Sequence, residues 1–407
     1  MPLSETMQEK LSVRARQAGL SGLREMFVRA AAKGCINLGP GICDLKPEAK
    51  VLKAAQRAVS DRHHCYAPSE GVPALKTEIV AKYAGYNRLS ISPDNILVTA
   101  GATGAFECIC KAFLASGDEV ILFEPFYQYH LRQIVHHRGV PRYVRLHGPD
   151  WRFYDEELKA ALTERTKLLV MSNPNNPTGK VFSQAELEQI GSICRDAGVI
   201  VVCDEVYEYI LDPRFTHISM ASLPGMFNHT LTLSSASKTF SVTGWRVGWL
   251  IGPTSVMGAL TVQSDETYLC APTPLQHAIA ECLPLAEYFS DQMRIHYQHK
   301  KDELGRALQI AGFRVLPCAG AIYLMAAYDQ SQFANDIDAA NALIENLGIA
   351  SVPGNEFFAR LMDSGMLRFC FWVEQDLIDR ACERLDGRSS TGQYRDAVMN
   401  SVAKPPG

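Results

Sequence analysis

Seven short apolar runs recur at near-regular intervals between residues 96 and 251, and they constrain the fold more than any other feature. They lie at 96–99, 119–123, 143–146, 167–171, 199–203, 230–233 and 246–251. Such lengths are those of β-strands. Helical segments lie between most of them. The clearest is 183–198, where Ser183 and Glu186 form a capping box and Gly198 is a C-terminal stop. Alternating strands and helices predict an α/β fold with a mainly parallel seven-stranded sheet flanked by helices. Upstream, helices are expected over 47–60, with Pro47 in the first turn, and over 72–84.

After Pro284 the pattern changes. A long charged amphipathic helix over 286–311 precedes runs at 313–316 and 322–326, a helix near 337–347 and a run at 367–372. This reads as a smaller α+β domain. The expected organisation is a large domain over 47–285, a small domain over 286–386 joined by the segment 1–46, and a loose polar tail over 387–407. The 407 residues carry a net charge of −4, which gives no general attraction to nucleic acid or an anionic membrane. No apolar run approaches a membrane span, and Glu5 and Glu9 with no apolar block exclude a signal peptide. None of the twelve cysteines shows Cys-x-x-Cys spacing, so reduced thiols and a cytoplasmic location are expected.

In open α/β sheets, ligands bind beyond the C-terminal ends of the strands. Five loops meet that description. Ala100-Gly101-Ala102-Thr103-Gly104 opens a helix and leaves backbone N–H groups free for a phosphate. Glu124-Pro125-Phe126-Tyr127 offers an aromatic that can stack on a flat ring. The turn Asn173-Pro174-Asn175-Asn176-Pro177-Thr178-Gly179 offers amide donors. Asp204-Glu205-Val206-Tyr207 adds a carboxylate and a phenol. Ser235-Ala236-Ser237-Lys238 adds hydroxyls and an amine, with Arg246 beyond a bend at Gly244. An amine there can form a Schiff base, and hydroxyls with a guanidinium suit a phosphate. Each piece alone is a weak signal; their shared edge and order make a strong one.

Taken together, Tyr66 and Gly71, Thr99 and Gly101, Asn173 to Gly179, Asp204-Glu205 with Tyr207, Ser235 to Lys238 with Arg246 and Gly248, and Arg368-Phe369-Cys370 carry a resemblance. The chain resembles the class I/II aminotransferases of the fold type I pyridoxal-phosphate-dependent enzymes, over roughly residues 12 to 385. The resemblance implies a pyridoxal 5′-phosphate cofactor bonded to Lys238, which also moves the proton. It implies that Asp204 pairs with the pyridine nitrogen, that Tyr207 and Asn176 bind the phenolic oxygen, and that Tyr127 stacks on the ring. Ala102, Thr103, Ser235, Ser237 and Arg246 then hold the phosphate, with Tyr66 reaching the cofactor of a partner subunit in a homodimer. Arg368 grips the substrate α-carboxylate, Gly41 lets it approach the backbone, and Asn176 borders it. Lys238, Asp204 and Tyr207 form the expected catalytic set.

The chain departs from the family at Cys43, where a proline is usual. His63-His64 and His136-His137 look like metal-ligand pairs, but adjacent residues rarely point to one site, and no metal is expected. Trp245 and Trp249 are expected in the core. Tyr323 either faces the substrate or fills a strand. The reaction implied is transfer of an amino group from an L-amino acid to a 2-oxo acid. A carbon–sulfur β-lyase or another biosynthetic amino-acid-modifying enzyme would keep the same cofactor residues. A regulator built on this fold needs a DNA-binding domain, for which the forty or so residues before Pro47 are too few and not basic enough. The stretches Asp265 to Cys270 and Ala18 to Leu23 lack Lys and Arg, which favours a neutral or aromatic substrate, with Arg24 the nearest exception.

Overall fold

Strands form here where alternate side chains find apolar neighbours on two faces. The computed structural model describes residues 7, 9–12, 22–39, 41, 45–61, 63–359 and 363–387. Its strands are β1 Ile36–Asn37, β2 Ile96–Thr99, β3 Glu119–Glu124, β4 Val140–Arg145, β5 Thr166–Ser172, β6 Ile200–Asp204 and β7 Thr230–Ser235. They continue with β8 Gly248–Ile251, β9 Arg314–Val315, β10 Tyr323–Ala327, β11 Ile349–Ala350, β12 Val352–Pro353 and β13 Met366–Cys370. Strands β2 to β8 build one seven-stranded sheet in the order β2-β8-β7-β6-β5-β3-β4. Its pairs are parallel except for β8, which runs antiparallel to both β2 and β7.

Both faces of this sheet are buried. Leu169, Met171, Val201 and Cys203 enter one apolar cluster, while Leu168, Val170 and Val202 enter another. That is the two-residue period of a pleated strand, and each fully buried Val or Leu stabilises by roughly 1.5–3 kcal/mol. The register then lines up polar residues at one edge. Ser172 pairs with Asp204, Asp204 with Leu233, and Ser235 with Gly248. Because β8 is antiparallel, its N-terminal end meets the C-terminal ends of β2 and β7. The reversal carries Arg246, just before β8, to the edge where the other strands end.

Several element ends differ from those expected. β8 begins at Gly248 because Arg246 adopts a left-handed backbone, φ 55° and ψ 46°, which no strand residue holds. β4 begins earlier than expected because it is an edge strand: alternate residues face solvent, so its apolar signal is short. Pro47 lies outside its helix, which spans Ala49–Ser60 after an extended Glu48 with ψ 143°. The capping box is made as expected at helix Gln184–Asp196, with Glu186 N–H donating to Ser183 Oγ at 3.3 Å. Residues 388–407 of the expected tail lie outside the described residues.

Strands β9, β10, β12 and β13 form an antiparallel sheet in the order β12-β13-β10-β9, and β1 pairs in parallel with β11. Ala30, Leu38, Leu304, Phe369 and Trp372 share one core across helices Gly22–Ala32 and Ala286–Ile310 and these strands. Leu38 N–H donates to Ala350 O at 2.9 Å, and Cys370 N–H donates to Leu38 O at 2.6 Å. The N-terminal segment is thereby stitched between C-terminal strands, and it delivers Gly39 and Gly41 to the cavity described below. The buried Asp336 carboxylate organises the turn before β13. It accepts from Asn355 N–H at 2.8 Å, Ser364 N–H at 2.9 Å and Tyr328 O–H at 2.7 Å. No described helix is long and apolar enough to cross a membrane, and the described cysteines are free thiols.

At the opposite end of the large sheet, the buried Glu119 carboxylate ties β3, β4 and β5 together. It accepts from Arg142 at 2.7 Å, Thr163 Oγ1 at 2.7 Å and Arg165 at 2.8 Å. The Arg142 hydrogen bond, then that of Thr163, hold its pKa down from 4.5 to about 2. A lowered carboxyl pKa stabilises the fold above the unfolded value, and the contribution fades as pH falls toward the folded one. Glu119→Gln is therefore expected to lower the urea midpoint near neutral pH, with the gap to wild type closing as pH drops from 4.5 toward about 2. A gap independent of pH would show that the charge contributes nothing.

Candidate active site

A cavity of about 320 Å³ opens over the strand ends that carry Ser172, Asp204 and Ser235. Its wall includes Ala102 and Thr103 at the start of helix Gly101–Phe113, Tyr127 at the N-cap of helix Gln128–His136, and Asn176 from the Asn-Pro turn. Tyr207, Ser237, Lys238 and Arg246 line it from the large sheet, and Tyr323, Arg368 and Gly41 from the other side. Every predicted site residue except one is thus brought together. The exception is Tyr66, which is 80% exposed and lies outside the cavity.

The geometry at each residue follows from where its element ends. Lys238 sits in the short helix Ala236–Thr239, whose N-cap Ser235 accepts from Ser237 N–H at 3.3 Å. Its Nζ donates to Gly41 O, and it lies 5.6 Å from the centre of the Tyr207 ring. Arg246 donates to Thr243 O at 2.9 Å and Ala100 O at 3.2 Å, which holds its guanidinium beside the start of helix Gly101–Phe113. Arg368 donates to Asn176 Oδ1 and Gly39 O, both at 2.9 Å. It lies between two rings, 4.0 Å from the centre of Tyr323 and 4.7 Å from that of Phe357. Tyr323 does both things open to it in the sequence: it is buried in β10, and its hydroxyl lies 3.1 Å from that of Tyr207. Burial pushes the Tyr127 phenol well above its ordinary pKa, so that ring stays neutral.

Sequence reasoning missed several residues. His130 is buried with Nε2 3.2 Å from Asp204 Oδ2, and it packs edge-on against Tyr127. Its one sequence signal is its position three residues after Tyr127, which puts both on the first turn of the helix. Gln128, Glu356 and Phe357 also line the cavity. Behind it, Glu208 accepts from Lys82 Nζ at 2.5 Å and Ser234 Oγ at 2.6 Å, and Glu205 accepts from Ser219 Oγ at 2.9 Å. Ligand atoms of Glu205, Glu208 and His217 lie within 4.8 Å of one another, but Lys82 already brings a positive charge to them. Of the paired histidines, His137 meets a carboxylate that the sequence did not mark, with its Nε2 2.9 Å from Glu107 Oε1. Trp249 is buried as expected, whereas Trp245 packs only partly buried against the core. Cys43 lies outside the described residues, as do the side chains of Leu23 and Arg24.

The sequence pattern described as aminotransferase class I and II matches residues 33–385. The chain belongs to this family. It is 34% identical to human kynurenine–oxoglutarate transaminase 1 over 88% of its own length and 94% of that protein. It is 32% identical to the aspartate aminotransferase of Geobacillus stearothermophilus, over 88% and 92% of the two chains. Among solved structures, N-succinyldiaminopimelate aminotransferase from Mycobacterium tuberculosis superposes with a TM-score of 0.87 at 30% identity, covering 92% of this chain and 99% of that one. An Escherichia coli protein with a methionine aminotransferase function superposes with a TM-score of 0.88 at 28% identity and the same coverage.

Class I and II aminotransferases depend on pyridoxal 5′-phosphate. The residues of this aminotransferase fit that group. Free N–H groups, hydroxyls and a guanidinium converge at one end, as a phosphate requires. Arg368 Nε is buried without a hydrogen-bond partner, so a donor is left over at the other side of the cavity. Gly101, at φ +74°, keeps the phosphate end open, since a Cβ there would lie 2.2 Å from Arg246 Nη2. Gly248 packs directly on that glycine: its Cβ would meet Gly101 C at 2.6 Å and Ala102 N at 2.8 Å. Backbone cannot yield as a side chain can. Gly248→Ala is therefore expected to weaken cofactor binding by at least about 10-fold, or about 1.4 kcal/mol, in absorbance titrations of the apoenzyme. Unchanged affinity would show that the packing of these two glycines does not shape the phosphate end.

Proposed function

We propose that this aminotransferase moves the amino group of a neutral or aromatic L-amino acid to a 2-oxo acid. The carrying observation is the charge inventory of the cavity. Among the described residues, the Lys and Arg side chains that line it are each held by a partner: Lys238 by Gly41 O, Arg246 by two carbonyls, and Arg368 by Asn176 and Gly39. The other ionisable groups of its lining include two carboxylates, Asp204, which meets His130, and Glu356. A second substrate carboxylate buried there without a cation would cost several kcal/mol.

When bound, pyridoxal phosphate supplies an electron sink for the electrons left on the substrate Cα. The protein does the rest. Lys238 would hold the cofactor through Nζ and, as a base in the cavity, would move the proton at the substrate Cα. Asp204 holds a proton on the pyridine nitrogen, and His130 orients Asp204. Tyr207 and Asn176 bind the phenolic oxygen, and Tyr127 stacks on the ring. Ala102, Thr103, Ser235, Ser237 and Arg246 hold the phosphate. Arg368 takes the α-carboxylate with the hydrogens left on Nε and its two terminal nitrogens, beside the Gly41 backbone.

The working unit is a homodimer in this reading. Exposed Tyr66 lies on a loop tied to the 265–274 segment, with Ala67 N–H donating to Thr273 Oγ1 at 3.1 Å and Ser69 Oγ to Asp265 Oδ1 at 2.6 Å. The pair of loops forms one surface that a partner subunit's phosphate site can receive. The large domain spans 47–285, and 286–386 forms the small one with the N-terminal segment. Free thiols suit a reducing compartment such as the cytoplasm.

Two measurements check these assignments. Borohydride reduction of the holoenzyme is expected to fix the cofactor to the peptide containing Lys238, and Lys238→Ala to lose at least about 100-fold in turnover, as for removal of a general base. Recovery of the adduct on another lysine would overturn the assignment. In single-turnover reactions, methionine, glutamine and phenylalanine are expected to outpace aspartate. Aspartate fastest would place an unrecognised cation in the cavity.

A further inference from the structure

The carboxylate of Glu356 stands opposite Gln128 at one side of the cavity. Gln128 Nε2 donates to Glu356 Oε2 at 2.8 Å. A carboxylate has about four acceptor sites, so this bond leaves Oε1 able to accept another donor. The backbone on either side of Glu356 is fixed. Asn355 N–H is held by the Asp336 carboxylate at 2.8 Å, and Phe357 O accepts from Phe126 N–H at 3.0 Å. Phe357 in turn packs its ring against the Arg368 guanidinium. Glu356 is therefore one residue from the wall of the α-carboxylate clamp, and Gln128 is one residue from Tyr127. A substrate gripped at Arg368 would share the cavity with this carboxylate.

We infer that the Gln128–Glu356 pair reads the far end of the substrate and selects amino acids whose side chain ends in a hydrogen-bond-donating nitrogen, neutral or cationic. The inference rests on the transaminase reading of this cavity and refines its substrate class: among neutral side chains it favours those that end in N–H, and it adds cationic ones. A terminal N–H donates to Glu356 Oε1. A terminal carboxylate meets like charge, and a terminal methyl leaves the oxygen unbonded. Glu356 is thus a specificity-determining residue, not a catalytic one.

The test uses holoenzyme and four acids that carry one carboxylate for Arg368 but no α-amino group, so none can react as a substrate. They are pentanoate, glutarate monoamide, 4-guanidinobutanoate and glutarate, titrated by calorimetry into wild type and Glu356→Gln. In the wild type, the monoamide and the guanidino acid are expected to bind about 10-fold tighter than pentanoate, the gain of one hydrogen bond to a charged acceptor. Glutarate is expected to bind weakest. In Glu356→Gln the advantage of 4-guanidinobutanoate over pentanoate should fall to within about 2-fold, and glutarate should gain, as loss of one charge requires. Pentanoate matching both donors in the wild type, with glutarate weakest, overturns the inference and leaves the neutral-substrate reading standing. Glutarate binding tightest in the wild type overturns both. The same ranking in Glu356→Gln as in wild type removes Glu356 from substrate selection.

Discussion

A β-sheet buried on both faces can hold polar side chains only where its strands end. In this aminotransferase Leu168 to Met171 and Val201 to Cys203 are committed to apolar clusters above and below the sheet. The chemistry is consequently displaced to Ser172, Asp204 and Ser235, at the C-terminal ends of β5, β6 and β7. Everything else about the cavity depends on that row. The antiparallel β8 adds Arg246 from the opposite chain direction, and the contact between Gly101 and Gly248 fixes how closely the two approach.

Hydrogen bonds between buried polar groups keep the row in place. Asp204 and His130 are both buried and meet each other, and Arg368 is buried against an amide oxygen and a carbonyl. Behind them lie Glu205, Glu208, His217 and Lys82, each buried and each bonded to a neighbour. Removing one member of such a network leaves an uncompensated buried charge, which costs more than the pair contributes. The loop Asp204 to Tyr207 is thus held from below by a buried polar network.

The N-terminal segment joins the two halves of the site. Its β1 and Leu38 are hydrogen-bonded into β11 and β13, and the next residues place Gly39 O against Arg368 and Gly41 O against Lys238. A Cβ on Gly41 would lie 1.6 Å from the Tyr323 hydroxyl, so only glycine fits between the amine and that phenol. One short stretch of chain therefore couples Arg368 to Lys238.

By itself the sequence determined the seven strands, their alternation with helices, and the loops that carry Lys238, Asp204, Asn176 and Arg246. Those signals are local: apolar period, caps and turn residues act within a few positions of one another. The family resemblance then added Arg368, Gly41 and Tyr66, which no local pattern marks. What only the tertiary structure decided are the partnerships across the chain. The direction of β8, His130 against Asp204, Gln128 against Glu356 and Lys82 against Glu208 each join residues brought together by strand order and by how the two sheets meet. Gln128 and Glu356 lie 228 positions apart, and Lys82 and Glu208 lie 126 apart. No periodicity of period two or 3.6 can encode a contact at that separation, because such contacts are set by the path of the whole chain.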